Sequence, residues 1–366
     1  MASAFSSDVF QDPGSGTGPT ALSSGEEDAG GAGGAEAALG FRAAMAALYL
    51  LVCAAGLGGN GLVMAATLKL DRLRSPATVF IFHLALADGL FMLGLPFLTA
   101  QSLLDRWPFG QAACKLVMAL DGVNQFTSAF CLTAMSVERC LALGRGPGGR
   151  GGPGGRGGRG AAGRAWGVAL GLWLLSLGPV LPVALHFSAD SGLCALDPSS
   201  SDSEAWWAVF LACTFVLGFA LPLAATLAAY AALLLALRAG RRRRRGDGGR
   251  SPGAEAQRRE RQVTRMVLGV VLAFAVCWLP FYVLNFCALA RRGPAEGPAF
   301  GRAFQGAVVL SYAWSCANPV LYACLSHTFR AHFRTLLRCP KARRHDDAAV
   351  TEGYDLRDST DRQSQV

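Results

Sequence analysis

Two carboxylates interrupt long apolar runs, and each must be accounted for chemically. Asp88 is the only charged residue of 76–104, and Asp121 the only one of 116–137. An acid in hydrocarbon costs about 2.5–3.5 kcal/mol on insertion scales, so it needs a partner or a watery cavity. Asp121 follows Cys114 by seven residues, two helical turns or about 10 Å. A ligand arriving from the Cys114 side can reach that depth, and a carboxylate there suits an ammonium or guanidinium. Gln125 lies one turn deeper on the same helix face. The competing reading, a structural pair with a basic residue of another span, finds no Lys or Arg within the spans. Asp88 sits deeper in its own run. Asn124 and Ser128, spaced i, i+4, can face it. Oxygen groups around one carboxylate suit a small hard cation or a water network, and a purely hydrated structural cluster fits them equally well.

These side chains need a membrane-spanning frame to position them. Residues 43–68, 165–187, 205–237, 266–290 and 303–325 contain no Asp, Glu, Lys or Arg. With the two Asp-bearing runs they make seven segments long enough to span a bilayer as helices. The chain is 52% hydrophobic and 16% charged, against about 25% charged for soluble chains, and its mean hydropathy is positive. The expected fold is therefore all-α, a seven-transmembrane helix bundle over 43–325. Basic residues crowd the segments after spans one, three, five and seven (Lys69, Arg72 and Arg74, then 145–164, 238–265 and 330–344). The intervening loops are acidic or mixed, with Asp190, Asp197, Asp202 and Glu204. The positive-inside rule then puts the N-terminus outside and the C-terminus in the cytoplasm. The net charge of +9 follows from this bias without nucleic-acid binding.

The flanking segments read more simply. Residues 1–42 are Gly/Ala/Ser-rich, carry no cleavable signal pattern and no Asn for a glycosylation sequon, and are expected to be an extracellular disordered leader. The Gly/Arg/Pro run 144–163 reads as a flexible basic loop near anionic lipid, in preference to the RNA-binding tail its composition resembles. A second polar segment opens at 241–245. Residues 326–339 place Phe329, Phe333, Leu336 and Leu337 on one face, as in a short interfacial amphipathic helix. Cys339 at its end fits palmitoylation and a free cytoplasmic thiol equally. The cytoplasmic tail 340–366 ends Gln363-Ser364-Gln365-Val366, which fits a PDZ groove and an arbitrary chain end equally. Cys114 and Cys194 both face an oxidising compartment, where a bridge would pin the second outer loop over the bundle, although spacing alone does not fix the pairing. His83, His186, His327, His332 and His345 show no metal-ligand spacing, and no Ser/His/Asp set shares a span, which disfavours an enzyme. The absence of internal repeats weighs against a transporter or channel using Asp88 and Asp121 as ion-path groups.

Several separated motifs together resemble the rhodopsin-like G-protein-coupled receptors. They are Gly59-Asn60, Leu84-Ala85-Leu86-Ala87-Asp88, Glu138-Arg139-Cys140, Trp173, Pro222 with Tyr230, Cys277-Trp278-Leu279-Pro280 and Asn318-Pro319-Val320-Leu321-Tyr322, in order on seven spans. Within the class the chain is similar to the somatostatin receptors. That likeness rests on Trp107-Pro108-Phe109-Gly110, on 90–98 and 116–128, on Val263-Thr264-Arg265-Met266-Val267 and on Ser315-Cys316-Ala317-Asn318-Pro319. Gln125 with Asn285 places it nearer the types 2, 3 and 5 group. Opioid receptors share parts of the pattern.

The resemblance implies a plasma-membrane receptor for a somatostatin-like cationic peptide. Asp121 would pair with the ligand's lysine, supported by Gln125. Asn285, Phe304 and Tyr312 would line the pocket, with Trp278 beneath it. Glu138 and Glu260 would hold Arg139 until the sixth span swings out at its Pro280 kink, with Tyr230, Asn318, Pro319 and Tyr322 in the same switch. The partners implied are an inhibitory Gi/o protein that lowers adenylyl cyclase activity, arrestin and receptor kinases. No cofactor is implied beyond a sodium ion at Asp88, Asn124 and Ser128. Trp314 replaces a family Asn facing that cluster, so sodium is expected to bind weakly. The long Gly/Arg-rich second cytoplasmic loop and the missing sequon are further departures.

Overall fold

The computed structural model describes residues 28–144, 156–196, 203–246, 254–290 and 298–337. Hydrocarbon offers no hydrogen bonds to the backbone, so long apolar runs must satisfy their own N–H and C=O groups as helices. The first span is α1 (Asp28–Ala66), closed by a π turn, Thr67–Asp71. The chain then reverses through Arg72 and Leu73, both at positive φ. Ser75 caps the second span. Its hydroxyl accepts from Thr78 N at 3.2 Å while Thr78 Oγ1 accepts from Ser75 N at 3.3 Å, with Pro76 supplying a preset first helical residue. That span is α2 (Pro76–Met92) and α3 (Leu95–Leu104), followed by α4 (Gly110–Gly144), the third span, and α5 (Arg156–His186), the fourth. A hairpin, β1 (Phe187–Ser188) with β2 (Ala195–Leu196), precedes the fifth span, which is α6 (Ser203–Phe215), a π turn Val216–Ala220, and α7 (Leu221–Gly246). The sixth span is α8 (Ala254–Ala290) and the seventh α9 (Pro298–Leu325), before the short α10 (His327–Leu337).

Six of the described helices are long and apolar enough to cross a membrane: Leu39–Asp71, Pro76–Leu104, Gly160–Val183, Ala205–Ala232, Leu272–Ala290 and Ala299–Cys324. The third span is long enough, at 35 residues, but too polar to be among them. Its polar side chains turn toward other helices. It packs against α2, α5 and α7, and Thr127 Oγ1 lies 3.0 Å from Ser176 Oγ of the fourth span.

Three segments depart from the sequence reading. Helix α1 begins at Asp28, inside the leader expected to be disordered. Helix α5 begins at Arg156, inside the expected flexible loop. Helix α7 continues through the arginine run 241–245 to Gly246. A span already nucleated in the bilayer extends at the cost of one residue per added hydrogen bond, and the Ala and Arg of these extensions favour helix while their glycines oppose it. Asp197, Asp202, Cys339, the tail 340–366 and the side chains of Arg139 and Glu260 lie outside the described residues. Among the described residues, 322–337 form a compact unit of their own. There Tyr322 stacks on Phe329 at 5.3 Å, Phe329 meets Phe333 at 5.9 Å, and Arg330 donates to Ala323 O at 3.1 Å and Cys324 O at 2.6 Å.

Candidate functional site

One end of the bundle is closed by the hairpin. Cys114 of the third span is bonded to Cys194, with Cα atoms 5.5 Å apart, and the hairpin pairs Phe187 with Leu196 and Ser188 with Ala195. Side chains that sequence reasoning missed add further ties. Gln111 donates to Phe187 O at 3.3 Å and accepts from Ala189 N at 2.6 Å. Gln101 accepts from Cys194 N at 2.8 Å. Trp107 N donates to Gly192 O at 2.7 Å, where φ of +85° favours glycine. The hairpin is thus tied to the second and third spans by more than its disulfide. At the same end Arg42 forms an ion pair with Asp105.

Beneath this cover lie the expected pocket residues. Asp121 is buried, 7% exposed. Half-buried Gln125, one turn along, donates from Nε2 to Tyr282 Oη at 2.5 Å, and Tyr282 Oη donates to Thr214 O at 3.1 Å. Asn285 is buried, donates to Phe281 O at 2.8 Å, and leaves its Oδ1 without a hydrogen bond. Phe304 faces Phe281, their centroids 6.3 Å apart, while Tyr312 meets Phe91 at 4.9 Å and Tyr49 at 5.9 Å. Phe304, Tyr312 and Tyr282 belong to one buried cluster, with Trp278 packed against it. The only sequence signal for Tyr282 was its position two residues beyond Pro280.

A second polar cluster is built on Asp88, which is fully buried. Its Oδ1 accepts from Ser128 Oγ at 3.2 Å and Ser315 Oγ at 2.9 Å, and its Oδ2 accepts from Asn318 Nδ2 at 2.9 Å. Ser128 Oγ also lies 3.1 Å from Asn124 Oδ1, so its one proton is shared between two acceptors, and Asn124 Nδ2 reaches Ser315 Oγ at 3.4 Å. Asn60 of the first span donates to Ser315 O at 3.0 Å. Four spans therefore meet through one hydrogen-bonded network. Trp314 contributes no hydrogen bond to it. The indole is 1% exposed, packs edge-on against Phe274 of the sixth span at 5.2 Å, and leaves Nε1 unpartnered. Among the described residues, no three His, Cys, Asp or Glu side chains converge as metal ligands.

The family model described as "7 transmembrane receptor (rhodopsin family)" matches residues 59–322. Somatostatin receptor type 5 of Bos taurus is 43% identical over 292 residues, 79% of this chain and 75% of the relative. Somatostatin receptor type 3 of Mus musculus is 41% identical over 301 residues, covering 81% and 68%. Somatostatin receptor type 2 of Mus musculus is 36% identical over 294 residues, covering 79% and 76%. The chain belongs to the somatostatin receptor family of rhodopsin-type receptors. It is a multi-pass membrane receptor and not an enzyme.

The remaining motif residues of this receptor occupy distinct places. Glu138 lies half-buried near the end of α4, and Tyr230 half-buried in α7. Pro280 stands inside α8 and Pro319 inside α9, where a missing N–H weakens the helical ladder. Asn318 is joined to the second span through Asp88. Pro319 abuts the first span so closely that a β-carbon at Gly59 would lie 3.0 Å from its ring. Tyr322 opens the separate unit described above.

Proposed function

We propose that this receptor binds a somatostatin-like cationic peptide at Asp121 and signals through an inhibitory Gi/o protein, lowering adenylyl cyclase activity. It would sit in the plasma membrane with its N-terminus outside. The observation that carries this reading is Asp121 itself, a carboxylate 7% exposed, two turns from the disulfide-bonded Cys114 and one turn from Gln125, whose amide bonds Tyr282 of the buried aromatic cluster. A lysine ammonium there forms a charge-assisted bond in a low-dielectric setting. Peptide binding favours the signalling arrangement only by its greater affinity for that arrangement. Pro280 and the π turn in the fifth span are points where helices can bend. Arrestin, receptor kinases, palmitate on Cys339 and a PDZ protein at Val366 complete the proposed set of partners.

The test is Asp121→Asn in surface-expressed protein, probed with somatostatin and a panel of opioid peptides. Removing one partner of a buried pair costs about 3–5 kcal/mol. Somatostatin affinity should therefore fall by two to three orders of magnitude, roughly. Unchanged affinity in the expressed variant, or tighter binding of opioid peptides by the unmodified receptor, would sink the reading.

A further inference from the structure

Tyr282 forms a junction of three spans through one oxygen. It sits in the sixth span, 1% exposed. Its ring packs edge-on against Phe215 at 5.2 Å and beside Phe219 at 5.4 Å, the residues on either side of the start of the π turn. Its hydroxyl meets Thr214 O at 3.1 Å and Gln125 Nε2 at 2.5 Å. The hydroxyl has one proton to give between these two neighbours. A backbone carbonyl can only accept, so the single hydroxyl proton goes to Thr214. The Tyr282 oxygen can then only accept from Gln125, which requires the amide nitrogen to face it. Gly218 of the π turn lies on the same amide, a β-carbon there falling 3.6 Å from Gln125 Nε2, an ordinary contact distance.

We propose that Tyr282 is a positioning residue that fixes the polarity of the Gln125 amide, so that its carbonyl oxygen is the end offered to a ligand. The position one turn below Asp121 therefore takes a hydrogen-bond donor and rejects an acceptor. An ammonium fits both groups at once, giving one N–H to the Asp121 carboxylate and another to Gln125 Oε1. Tyr282 sets this selectivity without touching the ligand. The inference rests on the proposed peptide site at Asp121.

The experiment uses full-length receptor and labelled somatostatin, with Tyr282→Phe made in two backgrounds. In the native background the freed amide can turn either way, and affinity should fall roughly tenfold. In a Gln125→Leu background there is no amide to orient, so Tyr282→Phe should leave affinity at the level of that background. An equal loss in both backgrounds would assign Tyr282 a merely structural role and overturn the proposal. Asp121→Asn is measured alongside. If it binds like the unmodified receptor, the peptide site itself fails; if it abolishes binding while the two backgrounds respond alike, only the role of Tyr282 fails. The unmodified protein provides a reading that needs no folded variant. With ¹⁵N-labelled glutamine, one Gln125 Nε2 proton should exchange slowly because Tyr282 holds it. Equally fast exchange of both protons would refute the arrangement.

Discussion

Gly59→Ala places one methyl group where the first span meets the seventh. The new β-carbon would lie 3.0 and 3.1 Å from Cγ and Cβ of Pro319. Carbon pairs rest at about 3.5–4.0 Å, and a proline ring has no rotamer into which it can retreat. The helices must therefore part by roughly 0.5–1 Å. Asn60, the next residue, donates across this contact to Ser315 O at 3.0 Å, and such a displacement carries that bond beyond useful range. Overpacking costs about 1–3 kcal/mol, and a lost interhelical hydrogen bond in a membrane about 0.6 kcal/mol on average. The sum, about 2–4 kcal/mol, corresponds to a fall of roughly 5–10 °C in apparent Tm, read in detergent by thiol-reactive dye. Gly58→Ala and Gly61→Ala serve as controls, because a β-carbon at either meets nothing within 4 Å. Both should be neutral or slightly stabilising, by at most about 1 kcal/mol from helix propensity. If Gly59→Ala melts with Gly58→Ala, the close approach to Pro319 carries no energetic weight and the reasoning fails.

Sodium control should be weak in the unmodified receptor, because an indole offers no acceptor oxygen to an ion near Asp88. Agonist affinity should change little when sodium replaces a bulky organic cation at fixed ionic strength, and Trp314→Asn should make sodium lower it. Strong sodium sensitivity without the substitution would discard this expectation. Gln111→Ala removes both of its bonds to the hairpin, so the Ala189 amide should exchange roughly tenfold faster with solvent while the disulfide stays intact; unchanged exchange would show that Gln111 adds nothing to the disulfide and the Gln101 and Trp107 bonds. A peptide of the last residues should capture PDZ domains and lose them when Val366 is amidated or changed to Asp. Equal capture by all forms would make the C-terminus an arbitrary end.

The helices were legible because hydrocarbon imposes a single rule on every apolar run, and the pairing of Asp88 with Ser128 because i, i+4 spacing had already put Asn124 and Ser128 on one face. Contacts between spans carry no such spacing. Ser315, Gln101, Gln111 and Tyr282 are joined to partners scores of residues away, and nothing local in their sequence marks those partners. Trp314 was legible as a large residue where the family has a small polar one, but its turn toward Phe274 depends on the neighbouring helix. The reach of α5 and α7 into Arg-rich sequence was missed for a different reason. Composition signals a loop there, whereas a helix leaving the bilayer already has its nucleus in place.

The polarity of the third span has a consequence for how the chain is made. A segment carrying Asp121, Asn124, Gln125, Thr127 and Ser128 partitions poorly into lipid by itself. During synthesis it must wait beside partners that shield those groups. The second span is already present and offers Asp88 to Ser128. Ser176 of the fourth span, which meets Thr127, and Ser315 of the seventh, which meets Asn124, emerge only afterwards, as does Cys194, 80 residues beyond Cys114. The third helix thus gains its full set of partners only once the seventh span has arrived. Substitutions that add polarity to it should appear first as protein retained and degraded early in the secretory route, before any loss of ligand binding is seen at the cell surface.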